Sequence, residues 1–172
     1  ENPMQEINDE GIITYVITSP YDLECVGPLT LAKNSVLKFE GDGKILNGTV
    51  IGDNSTIIAD NKVFDNVNVE GTWKCVGNVA WFADATDLET FNCSSAEDKS
   101  SDIQKALDSS FRELTFPPVA YYISNTLVLK KEKKLVFQGS LMRQNLYDVA
   151  YRTSGKLKTK YNEHRKHQSK QR

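Results

Sequence analysis

Between Ile12 and Thr72 apolar and polar residues alternate in short runs, and no helical periodicity is present. The runs are Thr30-Leu31, Val36-Leu37-Lys38-Phe39, Thr49-Val50-Ile51, Thr56-Ile57-Ile58 and Val67-Asn68-Val69, each bounded by Gly, Asn or Asp. They predict short strands separated by turns. Leu31-Ala32-Lys33-Asn34-Ser35-Val36-Leu37 returns 20 residues later as Ile51-Gly52-Asp53-Asn54-Ser55-Thr56-Ile57. In a parallel β-helix equivalent residues of successive turns stack about 4.8 Å apart. The period therefore places Leu31 over Ile51, Asn34 over Asn54 and Leu37 over Ile57, and stacked Asn amides satisfy one another. Asn47-Gly48 and Asp42-Gly43 are also hairpin-turn pairs, so local hairpins stay open as an alternative.

A second echo has an offset of 98. Leu29-Thr30-Leu31 and Leu37-Lys38-Phe39-Glu40-Gly41 match Leu127-Val128-Leu129 and Leu135-Val136-Phe137-Gln138-Gly139 as L-x-L-x5-L-x-F-x-G. Two modules of one architecture are expected, each opening with the same kind of turn. Between them Ile103, Ala106 and Leu107 share one face of a helix at about 101–109, with Asp102, Lys105 and Asp108 on the other. Ser101 and Gln104 have capping-box spacing. Such a helix is expected to cover the exposed end of a β stack, whose unpaired backbone otherwise invites aggregation.

Trp81-Phe82, Ser101-Asp102-Ile103-Gln104-Lys105-Ala106-Leu107-Asp108, Leu114-Thr115-Phe116-Pro117-Pro118, Tyr122-Ile123-Ser124 and Thr126-Leu127-Val128-Leu129 occur in that order. On these motifs the chain resembles the N-terminal region of the pectate-lyase superfamily, right-handed parallel β-helix proteins that include polysaccharide lyases, polygalacturonase-like hydrolases and phage tailspikes. The resemblance implies a mainly β fold, a right-handed parallel β-helix of few coils with a short capping α-helix. It also implies that Phe116-Pro117-Pro118 leads into the first coils. The preceding stretch, from Leu37-Lys38-Phe39-Glu40-Gly41 to Thr72-Trp73, is similar to an N-terminal module found in such proteins from gut bacteria. Three segments are expected: a β-coil module at 12–75, a capping helix with the first coil of a pectate-lyase-like β-helix at 76–140, and a basic tail at 141–172, disordered or helical. The sequence departs from the family where a Gly-Asp-Gly loop is replaced by Ala83-Asp84-Ala85-Thr86-Asp87, and where Val119-Ala120 follows the two prolines. The family's catalytic groups sit on later coils, so no catalytic residue is carried over.

Charge changes the picture at one end. Residues 141–172 hold nine of the 21 Lys and Arg but only two of the 23 Asp and Glu, leaving an acidic body with 12 bases against 21 acids. Lys156, Lys158, Lys160, Arg165, Lys166, Lys170 and Arg172 with Tyr151 and Tyr161 are a candidate phosphate-binding tail, but nothing there repeats a coil, so an add-on tail, from a truncated or frameshifted reading frame, is the stronger expectation and nucleic-acid binding the weaker. The longest apolar stretch, Val79 to Ala83, is far short of the roughly 20 residues that span a bilayer. The first residue is Glu1 without a signal-like stretch after it, which suits a mature or trimmed chain. Cys25, Cys75 and Cys93 lack zinc spacing and are expected as small buried hydrophobes, with one disulfide open.

Candidate chemistry is sparse. Asp84, Asp87 and Glu89 are the densest acidic cluster near aromatic residues, and Trp73, Trp81, Tyr121 and Tyr122 are of a type that stacks on sugar rings. The competing expectation is that Asp84 and Asp87 cap turns and the tryptophans pack a module junction. Asp53, Asp60 and Asp65 are spaced as solvated turn residues, so no metal or cofactor is expected. The only histidines, His164 and His167, lie in the tail, and nucleophile or phosphate-loop motifs are absent. The sequons at Asn47, Asn54 and Asn92 read as turns. The expectation is a non-catalytic, carbohydrate-associated β-helix module or fragment of an exported bacterial polysaccharide-degrading protein, secreted, periplasmic or at the cell surface. Carbohydrate contact is assigned to Trp73, Trp81, Asp84, Asp87, Tyr121 and Tyr122, with polysaccharide the expected partner and the oligomeric state open. The alternatives are a tailspike-like structural or adhesion domain and, third, a polysaccharide lyase or glycoside hydrolase.

Overall fold

The computed structural model describes residues 3–7, 11–92 and 95–142, with the backbone alone of 151–153 and 156–158. Strands β1 (Met4–Ile7), β2 (Ile13–Ile17), β3 (Pro20–Asp22), β4 (Leu29–Thr30), β5 (Val36–Phe39), β6 (Lys44–Ile58), β7 (Phe64–Trp73) and β8 (Gly77–Asn78) precede a 3-10 turn at Val79–Trp81. Helix α1 (Ser100–Asp108) follows, then β9 (Glu113–Phe116), β10 (Ala120–Tyr122), β11 (Lys134–Phe137), β12 (Ser140–Met142), β13 (Tyr151–Thr153) and β14 (Lys156–Lys158). The fold is a parallel β-solenoid of about 6 turns with, among the described residues, one short α-helix.

The coils stack in the register that the repeat predicts. Leu37 pairs with Ile57 across parallel strands β5 and β6, and the Leu31 N–H donates to the Ile51 carbonyl at 2.9 Å. Asn54 Nδ2 donates to Asn34 Oδ1 at 2.7 Å, and the buried hydroxyls of Ser35 and Ser55 lie 3.3 Å apart. Asn34 and Asn54 share a left-handed backbone, with φ of 60° and 54°. Asn turns a corner there because its short amide tolerates that conformation and bonds its copy one turn away. A second column runs from Asp22 through Asn47 to Asn66: Asn66 Nδ2 donates to Asn47 Oδ1 at 3.1 Å, and Asn47 Nδ2 donates to both Asp22 oxygens at 3.3 Å.

Hairpins are not what the Gly-containing pairs make. Asn47-Gly48 lies inside β6, where φ values of 45° and 134° bend the strand while β6 stays paired in parallel with β7. Antiparallel pairing is confined, among the described residues, to β1 with β2 and β13 with β14. The interior is filled from both sides of α1. Leu37, Ile45, Val50, Ile103, Ala106 and Leu114 are fully buried, and rings of Phe39, Phe64 and Phe82 follow one another with centroids 5.6 and 5.2 Å apart. Burying each large apolar side chain contributes about 1.5–3 kcal/mol, which is why a chain of modest hydrophobic content still holds the stack.

The helix is where expected. It packs on β7, and just beyond its C-terminus Ser110 N–H donates to Val69 O at 2.9 Å. Its N-terminus lacks the capping box: Asp98 Oδ1 accepts the Ser100 N–H at 3.0 Å, and Gln104 turns outward. The Gln104 amide accepts the Val128 N–H and donates to the Val128 carbonyl, both at 2.8 Å. Leu127-Val128-Leu129 therefore pairs with a side chain that mimics a peptide group, and it is not a strand like Leu29-Thr30. The 98-residue echo holds for strands, since β11 occupies the place of β5, but not for the opening segment. Its glycines also differ: Gly41 has φ of 56°, whereas a Cβ on Gly139 would sit 2.1 Å from Val119 O.

Candidate functional site

Two stacked corners and one extra residue form a cleft on the flank of the solenoid. The first corner follows β5, where Glu40 N–H donates to Ile17 O and Gly43 N–H to Glu40 O, both at 3.0 Å. Gly43 is required there because a Cβ would stand 1.9 Å from Ile17 O. The next corner runs from Ile58 to Val63, anchored by Ile45 N–H to Val63 O at 2.8 Å and Val63 N–H to Trp81 O at 2.9 Å. Together with Asp84 they enclose a cleft of about 560 Å³ carrying Lys38, Glu40, Asp42, Lys44, Asp60 and Lys62. The corners are held by backbone bonds and carry their charged side chains on the outer side of the coils.

Electrostatics ties this cleft to the helix. Lys62 Nζ lies 2.8 Å from Asp102 Oδ2 and 4.0 Å from Asp65 Oδ1. Partial burial works against the Lys62 charge, but the Asp102 hydrogen bond and the nearby carboxylates outweigh it and raise its pKa. Tyr121 is fully buried, and burial together with the Asp84 charge pushes its phenol up to about 12.

A second groove, of about 440 Å³, lies along the segment between the 3-10 turn and α1 and includes Thr86, Asp87, Thr90, Phe91, Glu97 and Lys99. Asp87 caps a turn in it: its carboxylate accepts the Thr90 hydroxyl at 2.8 Å and the Glu89 N–H at 2.9 Å, and these bonds hold its pKa down. Below the groove Asp98 accepts Ser124 N–H at 2.9 Å, Ser124 Oγ at 2.6 Å and Asn125 Nδ2 at 3.0 Å, besides its bonds to Ser100. Burial raises the Asp98 pKa, yet the Ser100 and Ser124 hydroxyls and N–H groups win and hold it at about 2.

The six residues assigned to carbohydrate contact do not meet on one surface. Trp81, Tyr121 and Tyr122 are buried, and Trp73 is half-buried. Both tryptophans pack on Phe111, with centroids 5.5 and 5.8 Å away, and Trp81 Nε1 donates to Ala59 O at 2.9 Å. Tyr122 packs edge-on to Phe91 at 5.6 Å. Their rings are taken up by the core because a narrow solenoid joined to a helix needs large side chains to fill the junction. Asp84 and Asp87 are exposed but line different depressions. The charged corner residues were legible in principle, since the 20-residue offset carries Glu40 onto Asp60 and Asp42 onto Lys62.

Among the described residues no group of three or more His, Cys, Asp or Glu is placed to hold a metal ion, and no helix is long and apolar enough to cross a membrane. Cys25 is exposed, in contrast to the burial expected of it, while Cys75 is half-buried and accepts the Ile57 N–H through Sγ at 3.3 Å. Both are free thiols. Cys93, the histidines and most of the basic tail lie outside the described residues. A scan against protein-family models, a search of curated proteins and a search of solved structures each found no match to this chain.

Proposed function

We propose that the chain is a non-catalytic, carbohydrate-associated β-helix module of pectate-lyase-like type from an exported bacterial protein, and that it meets polysaccharide through the cleft of stacked corners. The observation that carries this reading is the cleft itself, where two stacked corners and the Asp84 segment bring Lys44, Asp60 and Asp84 to one flank as hydrogen-bonding groups suited to a hydroxylated polymer. The buried aromatic residues support the choice of the cleft over a stacking platform.

Affinity electrophoresis through gels containing a panel of polysaccharides tests the proposal. Retardation by at least one polymer, lost in a Lys44→Ala, Asp60→Ala double variant that keeps its melting temperature, is the expected outcome. Unretarded migration in every gel refutes it. Trp81→Ala is unsuitable here because it would empty the core.

A second reading, an assembly domain, is favoured by the coil that contains β11. Phe137 stacks on Phe116 with centroids 4.1 Å apart and an interplanar angle of 15°, yet remains 36% exposed. Concentration-dependent sedimentation would support that reading.

A further inference from the structure

Asn47-Gly48 is the one Asn-Gly pair in the chain. Such a pair is the dipeptide most prone to lose its side-chain amide, because the nitrogen of a following glycine has no neighbouring side chain to block its attack on the carboxamide. The fold leaves little choice of residue at either position. Asn47 turns the strand with φ of 45°, a left-handed conformation that Asn tolerates better than most residues with a side chain. Gly48 has φ of 134°, and a Cβ there would stand 2.7 Å from Leu23 Cβ. The solenoid therefore builds a labile pair into its coil, and the side chains around it govern whether the pair reacts. Asn47 Nδ2 donates to both oxygens of Asp22 at 3.3 Å, and Asn47 Oδ1 accepts Asn66 Nδ2 at 3.1 Å. Both ends of the carboxamide are thus engaged by neighbouring turns, and these bonds must break before Cγ can swing onto the Gly48 nitrogen.

We propose that Asn47 is a self-modification site: it deamidates when its coil opens, is guarded by Asp22 and Asn66 while the coils are stacked, and once converted hinders restacking. In the reaction the Gly48 backbone nitrogen bonds to Asn47 Cγ and gives up its proton, the Cγ–Nδ2 bond breaks, and the side-chain nitrogen takes up a proton and leaves as ammonia. Water then adds to the cyclic imide and opens it at one of its two carbonyls, giving aspartate or, with the main chain rerouted through the side chain, isoaspartate. Aspartate at this position still accepts from Asn66, but it has no N–H to offer Asp22, and two carboxylates meet where an amide met one. Isoaspartate adds a carbon to the main chain of β6 and breaks the pairing of Gly48 with Val67. A coil that has opened is thereby marked covalently.

The test is peptide mapping by mass spectrometry of the full chain after incubation in mildly alkaline buffer, native and in guanidinium chloride. In the unfolded chain Asn47 is expected to deamidate faster than Asn34 and Asn54, which precede serines. In the native chain it should slow by at least about tenfold, as for a group exposed only by local opening. Asp22→Ala should speed native deamidation at Asn47 several-fold over that at Asn54 in the same sample, which serves as the internal measure of general loosening. Asn47→Asp should lower the melting temperature, and adding Asp22→Asn should restore it, because the donor is then supplied from position 22. Equal rates at the three asparagines in the unfolded chain overturn the site. Equal native and unfolded rates at Asn47, or an Asp22→Ala effect shared equally by Asn54, overturn the guard. An Asn47→Asp variant as stable as its parent, or one that Asp22→Asn does not rescue, overturns the consequence for restacking.

Discussion

Replacing Asn54 separates the two physical effects that shape a corner of this solenoid. Asn54 has φ of 54°, and its amide donates to Asn34 Oδ1 at 2.7 Å. Asn54→Gly keeps the left-handed conformation at no steric cost but loses the ladder bond, worth about 0.5–1.5 kcal/mol and at the low end for an exposed pair. Asn54→Ala loses the same bond and adds the left-handed penalty of an L side chain, about 1–2 kcal/mol. The alanine variant should therefore be less stable than the glycine variant by about 1–2 kcal/mol. Urea unfolding followed by circular dichroism measures the difference, provided the slope with denaturant is unchanged. Asn34→Gly should repeat the glycine result, because Asn34 has φ of 60° and removes the same bond from the other side. The double glycine variant should cost less than the sum of the two, since one bond is lost only once. Equal stability of Asn54→Ala and Asn54→Gly would refute the claim that backbone conformation selects Asn at this corner, and additive single effects would refute the ladder.

Three other outcomes follow from the geometry. Asp98 has a pKa of about 2 in the folded chain against an ordinary 3.8, so its contribution is present above about pH 4 and lost as pH falls towards 2; urea melts of Asp98→Ala should show lower stability at pH 7 and a flatter acid decline than the parent. Lys133 donates to Ser109 O at 2.8 Å, and burial with the nearby Lys131, against the pull of Asp108, lowers its pKa to about 8. The unfolded chain then binds more protons between about pH 8 and 10.5, so this group makes stability rise with pH over that window, and Lys133→Met should remove that part of the slope. Gly52→Ala would place a Cβ 2.8 Å from the Trp73 indole, and should destabilise by about 1–3 kcal/mol while shifting tryptophan fluorescence; an unshifted emission would show that Trp73 does not lie on Gly52.

Legibility in the sequence followed locality. The 20-residue repeat revealed the coil register because stacked turns impose the same demand on each equivalent residue: a left-handed backbone at Asn34 and Asn54, burial at Leu37 and Ile57. The helix was legible from the spacing of Ile103, Ala106 and Leu107, although Asp98 supplies the cap that Ser101 was expected to give. Misreading began where one residue type serves two purposes. Trp81 and Tyr122 fit a sugar platform as well as a core, and only the position of Phe111 and Phe91 against them distinguishes the two. Gln104 fits a capping box as well as a surrogate strand partner, and only the Val128 segment beside it shows which bond it makes.

What the sequence determined by itself is the repeating unit, because a period near 20 of β-branched residues and Asn corners satisfies backbone hydrogen bonds only when turns lie on one another. What the tertiary structure decided is where the chain leaves that period. Segments on either side of α1 converge on it, through Val69 from the preceding coils and Val128 from the following ones. The cleft likewise exists only because corners about 20 residues apart lie side by side with Asp84. Contacts between residues far apart in the chain carry no local signature, so a side chain's solvent exposure, and with it its chemical availability, is settled only once the coils have stacked.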